Sequence, residues 1–391
     1  MTTQQTLNKY QQYVIGNYTR FPVVLVRGEG SRIWDADGKC YIDFFPGWGC
    51  GLLGHCPPPI VKAVQKQMET LIHVPNSWHT EQQAEWAQML SERSFGKAFF
   101  CNSGTEANEA AIKLVRLATP KERYKIITFH GSFHGRTMGS ISATAQPKYH
   151  DGLQPLLPGF TYVPHGDINA VKDAIDHETA AIMIEPIQGE GGVRMPPSGF
   201  LKELRNLCDT NDLILIFDEV QTGCGRTGEW FAYQTFGVLP DVITVAKAVS
   251  GSLPGAAMLV KENLAPALRP GMHAATYGGN PISAAAGIAT IKMIEEQGLL
   301  ENVRKLETLF LNEFNKLHGE LEIIQDVRGK GVMIGVELSV EGERVVNGCR
   351  ERGLLINCTH GNVIRLLPAM NLTVAEAQEG IDIIADVLRN L

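Results

Sequence analysis

From about Ala98 to Val260 the chain alternates short, unbroken apolar runs with segments of helical character. The runs are Ala98-Phe99-Phe100, then residues 125–129, 180–184, 213–217 and 242–245. A strand with one wet face alternates polar and apolar residues, whereas a run that is apolar throughout needs cover on both faces. Helices between such strands act as crossovers, so the expected core is a mostly parallel sheet with helices on both faces. One connecting segment shows the matching amphipathic face in Phe200, Leu204 and Leu207. The fold class is α/β.

After the sheet region the pattern changes. Residues 281–320 read as helical, with Ile288, Ile291, Ile294 and Leu299-Leu300 recurring. Strand candidates follow at 331–338, 354–357 and 363–367, and a last helix is expected after Thr373, whose hydroxyl can cap it. A chain of 391 residues can bury enough surface for two domains. The expected division is a strand- and turn-like N-terminal segment (1–50), a large unit (51–280) and a smaller α+β unit (281–391). Composition leaves open which unit the N-terminal segment joins; the assignment is to the smaller one.

The net charge of -7 and the lack of basic clusters argue against nucleic acid or an anionic membrane as partner. None of the eight cysteines forms a Cys-x-x-Cys pair, so the usual zinc and redox spacings are missing and no metal site is expected. The first ten residues are polar, without an apolar signal core, which gives the expectation of a cytoplasmic protein.

Three of the apolar runs end on residues with chemistry: Glu185, Asp218 and Lys247. Separations of 33 and 29 residues each match one strand-helix-strand unit, so parallel strands would bring all three to the same sheet edge. Ligands of open α/β sheets bind at the carboxyl ends of strands. A lysine buried there loses charge and becomes available as nucleophile and base, fit to form a Schiff base. Taken singly, each has a plainer reading: a solvated strand-end lysine, or a carboxylate capping a helix.

The stretch Asn102-Ser103-Gly104-Thr105-Glu106-Ala107-Asn108 follows a strand and opens an alanine-rich helix. Ser103 and Glu106 have capping-box spacing, Gly104 permits close backbone approach, and free N–H groups at the helix start suit a phosphate. An ordinary helix start is the alternative. No Gly-x-x-x-x-Gly-Lys-Ser/Thr motif occurs, which argues against a P-loop enzyme. In residues 130–137, Phe133 lies between glycine turns where it can stack on a flat ring, and Arg136 can grip a carboxylate. Core packing and a surface ion pair are the plainer readings. A phosphate cradle, a stacking aromatic, an acid and a buried lysine together match what pyridoxal phosphate requires.

The chain resembles the class III (ornithine/acetylornithine-type) pyridoxal-phosphate aminotransferases over nearly its whole length. The resemblance rests on residues 41–44 and 54–55, on 100–109, on Glu185-Pro186-Ile187-Gln188-Gly189-Glu190-Gly191-Gly192, on Asp218-Glu219-Val220-Gln221-Thr222-Gly223, on Lys247 and on Thr276-Tyr277-Gly278-Gly279-Asn280-Pro281. It implies fold type I of the pyridoxal-phosphate enzymes, with the cofactor carried on Lys247. Asp218 would pair with the ring nitrogen and Gln221 would contact the ring 3-oxygen. Phe133 and Val220 would cover the two ring faces. Ser103, Gly104 and Thr105 would hold the phosphate, helped by Thr276 of a second subunit in an obligate homodimer. Arg365 would take the α-carboxylate of glutamate and Arg136 its distal carboxylate. With acetylornithine, Arg136 would hold the α-carboxylate and Glu185 would pair with the idle Arg365. The implied reaction is transfer of the amine of N2-acetyl-L-ornithine to 2-oxoglutarate, a step of arginine biosynthesis.

Ornithine, succinylornithine, succinyldiaminopimelate and 4-aminobutyrate are alternative amines, and an aminomutase or racemase or a non-catalytic relative is an alternative class. Lys247 argues against the last. The pattern departs from the family at Ala275, where a substrate-contacting serine is frequent, at 365–370, where a double proline is missing, and at Phe45-Pro46-Gly47-Trp48-Gly49-Cys50. Trp48 and Trp78 are candidates to shape the substrate tunnel.

Overall fold

A computed structural model describes residues 1–391. Seven strands form the central sheet, in the spatial order Lys97–Cys101, Ala256–Val260, Val242–Val245, Ile214–Asp218, Thr179–Ile184, Lys125–Phe129, Phe160–Val163. Ala256–Val260 runs against both neighbours and all other pairings beyond it are parallel. The expected mostly parallel sheet is thus present. Two of its strands, Phe160–Val163 and Ala256–Val260, were not separately legible in the apolar runs.

The unbroken apolar pattern has the physical cause assigned to it. Ile182, Ile184, Leu215, Phe217, Ile243 and Val245 enter one hydrophobic cluster, while Ala181, Met183, Ile214, Ile216 and Val242 enter another on the opposite face. Helix Gly104–Ala118 covers the second face through Ala110, Ala111, Leu114 and Val115. Helix Phe200–Asn211 covers the first through Phe200, Leu201 and Leu204; Leu207 is only partly buried, and Cys208 replaces it in the core.

Beyond the sheet the expectations need revision. The helical stretch 281–320 is two helices, Pro281–Glu296 and Leu299–Glu320, broken at Gly298 with φ 61°. The strand candidate at 354–357 divides. Leu354–Leu355 joins Cys40–Asp43 in parallel, and Asn357–Thr359 joins Val363–Leu366 in an antiparallel sheet with Met333–Leu338 and Ile324–Lys330. The last of these, largely polar, gave no strand signal. Thr373 caps helix Val374–Arg389 with a full capping box, as expected. The N-terminal segment begins with a helix, Thr3–Tyr13, where strands and turns were expected. It buries no residue and rests on a local Thr2–Gln5 capping box, so no apolar period announced it.

Arg226 ties these parts together. It is fully buried and donates to the carbonyls of Gly49, Val332 and Pro368, which come from three separate stretches of chain.

Helix Pro281–Glu296 backs the turn that carries Lys247. Gly287 in this helix faces Trp86, and a Cβ there would lie 2.2 Å from the indole Nε1. Trp86 is itself fixed by stacking on Phe100, ring centroids 4.4 Å apart. Alanine is the better helix former by about 1 kcal/mol, but overpacking a rigid ring costs about 1–3 kcal/mol. Gly287→Ala is therefore expected to lower Tm by a few degrees in differential scanning calorimetry; an equal or higher Tm would contradict this packing.

Candidate active site

The strands Thr179–Ile184, Ile214–Asp218 and Val242–Val245 are adjacent and parallel, and their carboxyl ends open into one cavity of about 500 Å³. Glu185, Asp218 and Lys247 all line it. The reading of three strand ends meeting in one cleft holds. Lys247 has φ 51°, a left-handed conformation costing a non-glycine residue about 1 kcal/mol, and it turns the chain from strand into the Lys247–Ser250 3-10 turn. Burial pushes its amine below the ordinary lysine range; Glu190 opposes this and Arg365 reinforces it. The free amine is correspondingly easier to reach near neutral pH.

Asp218 is buried and held from several sides. Its Oδ2 accepts from Asn108 Nδ2 at 2.8 Å and lies 2.7 Å from His134 Nδ1, while Oδ1 accepts from the Val220 N–H at 3.1 Å. Asn108 is fixed in turn: it donates to His134 O at 2.7 Å and accepts from Thr244 Oγ1 at 2.7 Å. Gln221 Oε1 and His134 Nε2 are buried in or beside the cavity without a hydrogen-bond partner. A buried acceptor without a donor is costly and marks a place for a ligand group.

Ser103, Gly104 and Thr105 line the same cavity at the start of helix Gly104–Ala118. The expected capping box is absent. The Ser103 side chain makes no cap hydrogen bond, and Glu106 reaches back one residue further, accepting from both the Asn102 N–H and its side-chain amide. The first N–H groups of the helix, which have no intrahelical acceptor, stay free to meet a phosphate. Gly104 is required by its neighbour, because a Cβ would stand 2.9 Å from both Val220 methyl groups. Thr105 Oγ1 accepts from the Arg136 and Thr137 N–H groups, each at 3.2 Å.

The expected Glu185–Arg365 pair does not form. Glu185 accepts from the Phe133 N–H at 2.9 Å and the Gly189 N–H at 3.1 Å, so it braces the loop that presents Phe133. Arg365 pairs instead with Glu190, Nη1 to Oε1 2.6 Å, and donates to Asn357 Oδ1 through Nε and Nη2. The reason is backbone direction: the Gln188–Arg194 bridge folds the loop back after Gly189, carrying Glu190 toward the strand Val363–Leu366. Burial works against the charge on Glu190, but Arg365 outweighs it and holds the carboxyl below its usual range. Glu190 stood in the quoted motif, yet nothing local separates its role from that of Glu185.

Phe133, Val220, Gln221 and Arg136 line the cavity as expected. Ala275 and Thr276 do not; they border separate grooves with His273, and Asn76 donates to the Ala275 carbonyl. Trp48 and Trp78 are mostly exposed and stand outside the cavity, whereas Cys50 lines it. Sequence reasoning also passed over Asn108, His134 and Tyr149. Asn108 lies one helical turn after Gly104, a signal that was available; Tyr149 meets Arg136 and Phe133 only through the fold.

Residues 13–388 match the family model described as class-III aminotransferase. The acetylornithine aminotransferase of Caldanaerobacter subterraneus subsp. tengcongensis is 47% identical over 97% of this chain and 98% of that protein. That of Methanothermobacter thermautotrophicus is 45% identical over the full length of both. Among solved structures, an ornithine aminotransferase from Toxoplasma gondii superposes with a TM-score of 0.96 at 30% identity, covering 100% of this chain and 96% of that one. An acetylornithine aminotransferase from Elizabethkingia anophelis gives 0.89 at 32% identity, with both chains fully covered. Fold and cleft define a pyridoxal-phosphate-dependent transferase. More narrowly, the chain belongs to the class III aminotransferases.

The acid that braces the Phe133 loop has a titration that can be measured. Burial pushes Glu185 up to about 7, with the nearby His134 opposing and Asp218 reinforcing. Its value in the unfolded chain is 4.5, so the stability that its protonated form contributes is complete below that pH and lost as pH rises toward about 7. Between about pH 5 and about pH 8 the wild-type Tm should therefore fall more steeply than that of Glu185→Gln. Parallel Tm curves would show that Glu185 keeps an ordinary pKa.

Proposed function

We propose that this protein is a transaminase that moves the terminal amine of N2-acetyl-L-ornithine to 2-oxoglutarate, giving N-acetyl-L-glutamate 5-semialdehyde and L-glutamate. The observation that carries this reading is the unequal treatment of two arginines at the Lys247 cleft, Arg136 on its wall and Arg365 buried behind Glu190. Arg136 lines the cavity and has no ion pair in the chain, while Arg365 is neutralised by Glu190. An acetylated amine brings one carboxylate and needs one guanidinium; glutamate brings two. A buried guanidinium facing the carboxylate-free end of the amine would be costly, and Glu190 removes that cost.

Bound pyridoxal phosphate supplies the electron sink that makes the substrate carbon acidic. The chain supplies the rest. Lys247 would hold the cofactor and would move the proton at the substrate carbon, for which a depressed amine pKa suits it. Asp218, locked by Asn108 and His134, would keep the ring nitrogen protonated. Gln221, whose side-chain oxygen is unpartnered, would contact the ring 3-oxygen, Phe133 and Val220 would cover the ring faces, and Ser103, Gly104 and Thr105 would hold the phosphate. Several relatives with full-length coverage carry the name acetylornithine aminotransferase, which supports the choice of amine. An aminomutase or racemase needs no oxoacid, so the pair of arginines weighs against that class.

A homodimer in the cytoplasm, serving arginine biosynthesis, completes the proposal. Thr276 and Ala275 border grooves outside the Lys247 cavity, and Tyr277 beside them leaves apolar surface exposed. A second copy would cover this surface and receive Thr276 at its phosphate site. No helix is long and apolar enough to cross a membrane.

In a coupled assay with 2-oxoglutarate, acetylornithine should give the highest kcat/KM among acetylornithine, ornithine, succinylornithine, succinyldiaminopimelate and 4-aminobutyrate. Turnover far below that of ornithine or 4-aminobutyrate sinks the assignment. Lys247→Ala should lose about 10³-fold in kcat. Glu190→Gln should lower kcat/KM for acetylornithine about tenfold more than for glutamate, since it leaves Arg365 uncompensated. Sedimentation should show a dimer of 42.8 kDa chains. Thr276→Ala should keep that dimer and weaken pyridoxal phosphate binding about tenfold, the loss of one hydrogen bond to a charged group. A monomer, or unchanged cofactor affinity, would refute the shared site.

A further inference from the structure

Arg136 is held by aromatic rings and by no carboxylate, whereas Arg365, whose guanidinium carbon lies 4.9 Å from the Phe45 ring centroid, is also paired with Glu190. The Arg136 guanidinium carbon lies 4.1 Å from the centroid of the Tyr149 ring and 5.4 Å from that of Phe133. The two rings meet edge to face, centroids 5.8 Å apart and planes at 80°. Tyr149 ends the short turn Pro147–Tyr149, and that turn is tied to the loop bearing Phe133 and Arg136. Gln146 Nε2 donates to Gly131 O and Ser132 O at 3.2 and 2.9 Å, and the His134 N–H donates to Thr144 Oγ1 at 2.8 Å. The ring is therefore held in register with the arginine it supports.

A ring face attracts a guanidinium without neutralising it and leaves the edge of the fork open. A carboxylate in the same place would also hold the arginine but would cancel its charge, as Glu190 does for Arg365. Arg136 is largely solvent-exposed, and an unsupported arginine there would spread over many rotamers, all of which substrate would have to freeze out. Lys148 reaches the same ring at 4.8 Å, so an incoming anion meets a positive field.

We propose that Tyr149 is a positioning residue for substrate carboxylates: its ring is a shelf that holds the Arg136 fork ready and uncompensated at the cavity. The proposal rests on the transaminase reading and deepens it. Because Arg136 is needed by the amine and by the oxoacid alike, the shelf acts on both half-reactions together. Glu190, by contrast, separates them.

The test compares Tyr149→Leu and Tyr149→Phe in the full-length protein loaded with pyridoxal phosphate. Glutarate, a dicarboxylate with no amine or keto group to react, is titrated by calorimetry, and KM and kcat are measured for acetylornithine and 2-oxoglutarate. Tyr149→Leu should weaken glutarate binding and raise both KM values by about three- to thirtyfold, the range of a cation–π contact. Its kcat should stay within about twofold, with the visible spectrum of the bound cofactor unchanged, and Tyr149→Phe should behave as wild type. Unchanged glutarate affinity in Tyr149→Leu overturns the proposal. So does a fall in kcat with a shifted spectrum, which would place Tyr149 with Phe133 and the cofactor. Equal damage in Tyr149→Phe overturns it too, since the phenol and not the ring face would then matter. Tyr149-dependent glutarate binding in a protein that turns over no amine upholds the shelf while removing the transaminase reading.

Discussion

Ile184 stands opposite Phe217, and Asp218 stands opposite Thr244, across three neighbouring parallel strands. That register sets where each strand stops, and the stops place Glu185, Asp218 and Lys247 at one sheet edge. The sheet is covered on both faces, so its edge is the one place where polar side chains from these strands meet an open cavity. A slip of one residue would exchange the two faces and put Asp218 into the apolar layer. The cleft follows from strand register before any of its own hydrogen bonds is considered.

Burial then makes the charges there conditional. Lys247 is pushed toward its free amine and Glu185 toward its acid form, whereas Glu190 stays ionised because Arg365 faces it. Asp218 is bound instead to an amide and an imidazole that reach it from helix Gly104–Ala118 and from the Phe133 loop. The two arginines show the same economy in opposite forms. Arg365, over the Phe45 ring, is neutralised by Glu190, and Arg136 is kept charged on the Tyr149 face. A site that must accept one carboxylate and two in turn needs both arrangements.

Much of this was legible in the order of residues. Unbroken apolar runs require a doubly covered sheet, and the 33- and 29-residue spacings require their ends to meet, so the class of fold and the Glu185, Asp218, Lys247 cluster followed. Residue chemistry and the family resemblance together named further cavity residues, Phe133, Val220 and Gln221 among them, but not the part played by Asn108 or His134. The failures are instructive. Glu185 and Glu190 sit five residues apart in one glycine-rich loop, and local sequence cannot say which of them the loop turns toward Arg365. Helix Thr3–Tyr13 buries nothing and strand Ile324–Lys330 is largely polar, so neither carried an apolar period. Residues 354–357 were read as one strand because both halves are extended; that they serve different sheets depends on partners more than 300 residues away for one half and fewer than ten for the other.

Sequence alone determined which residues must be buried, how far apart the strand ends fall, and therefore that a lysine and an acid share a cleft; these are matters of period and spacing, which are local. Tertiary structure alone decided who pairs with whom inside the cleft. Hydrogen bonds and ion pairs depend on angles and ångströms between distant segments, as in Glu190 with Arg365, Asn108 with Asp218 and Tyr149 beneath Arg136. It also placed Thr276 on a groove that adjoins the Lys247 cavity at Asn102, and not among the residues that line that cavity.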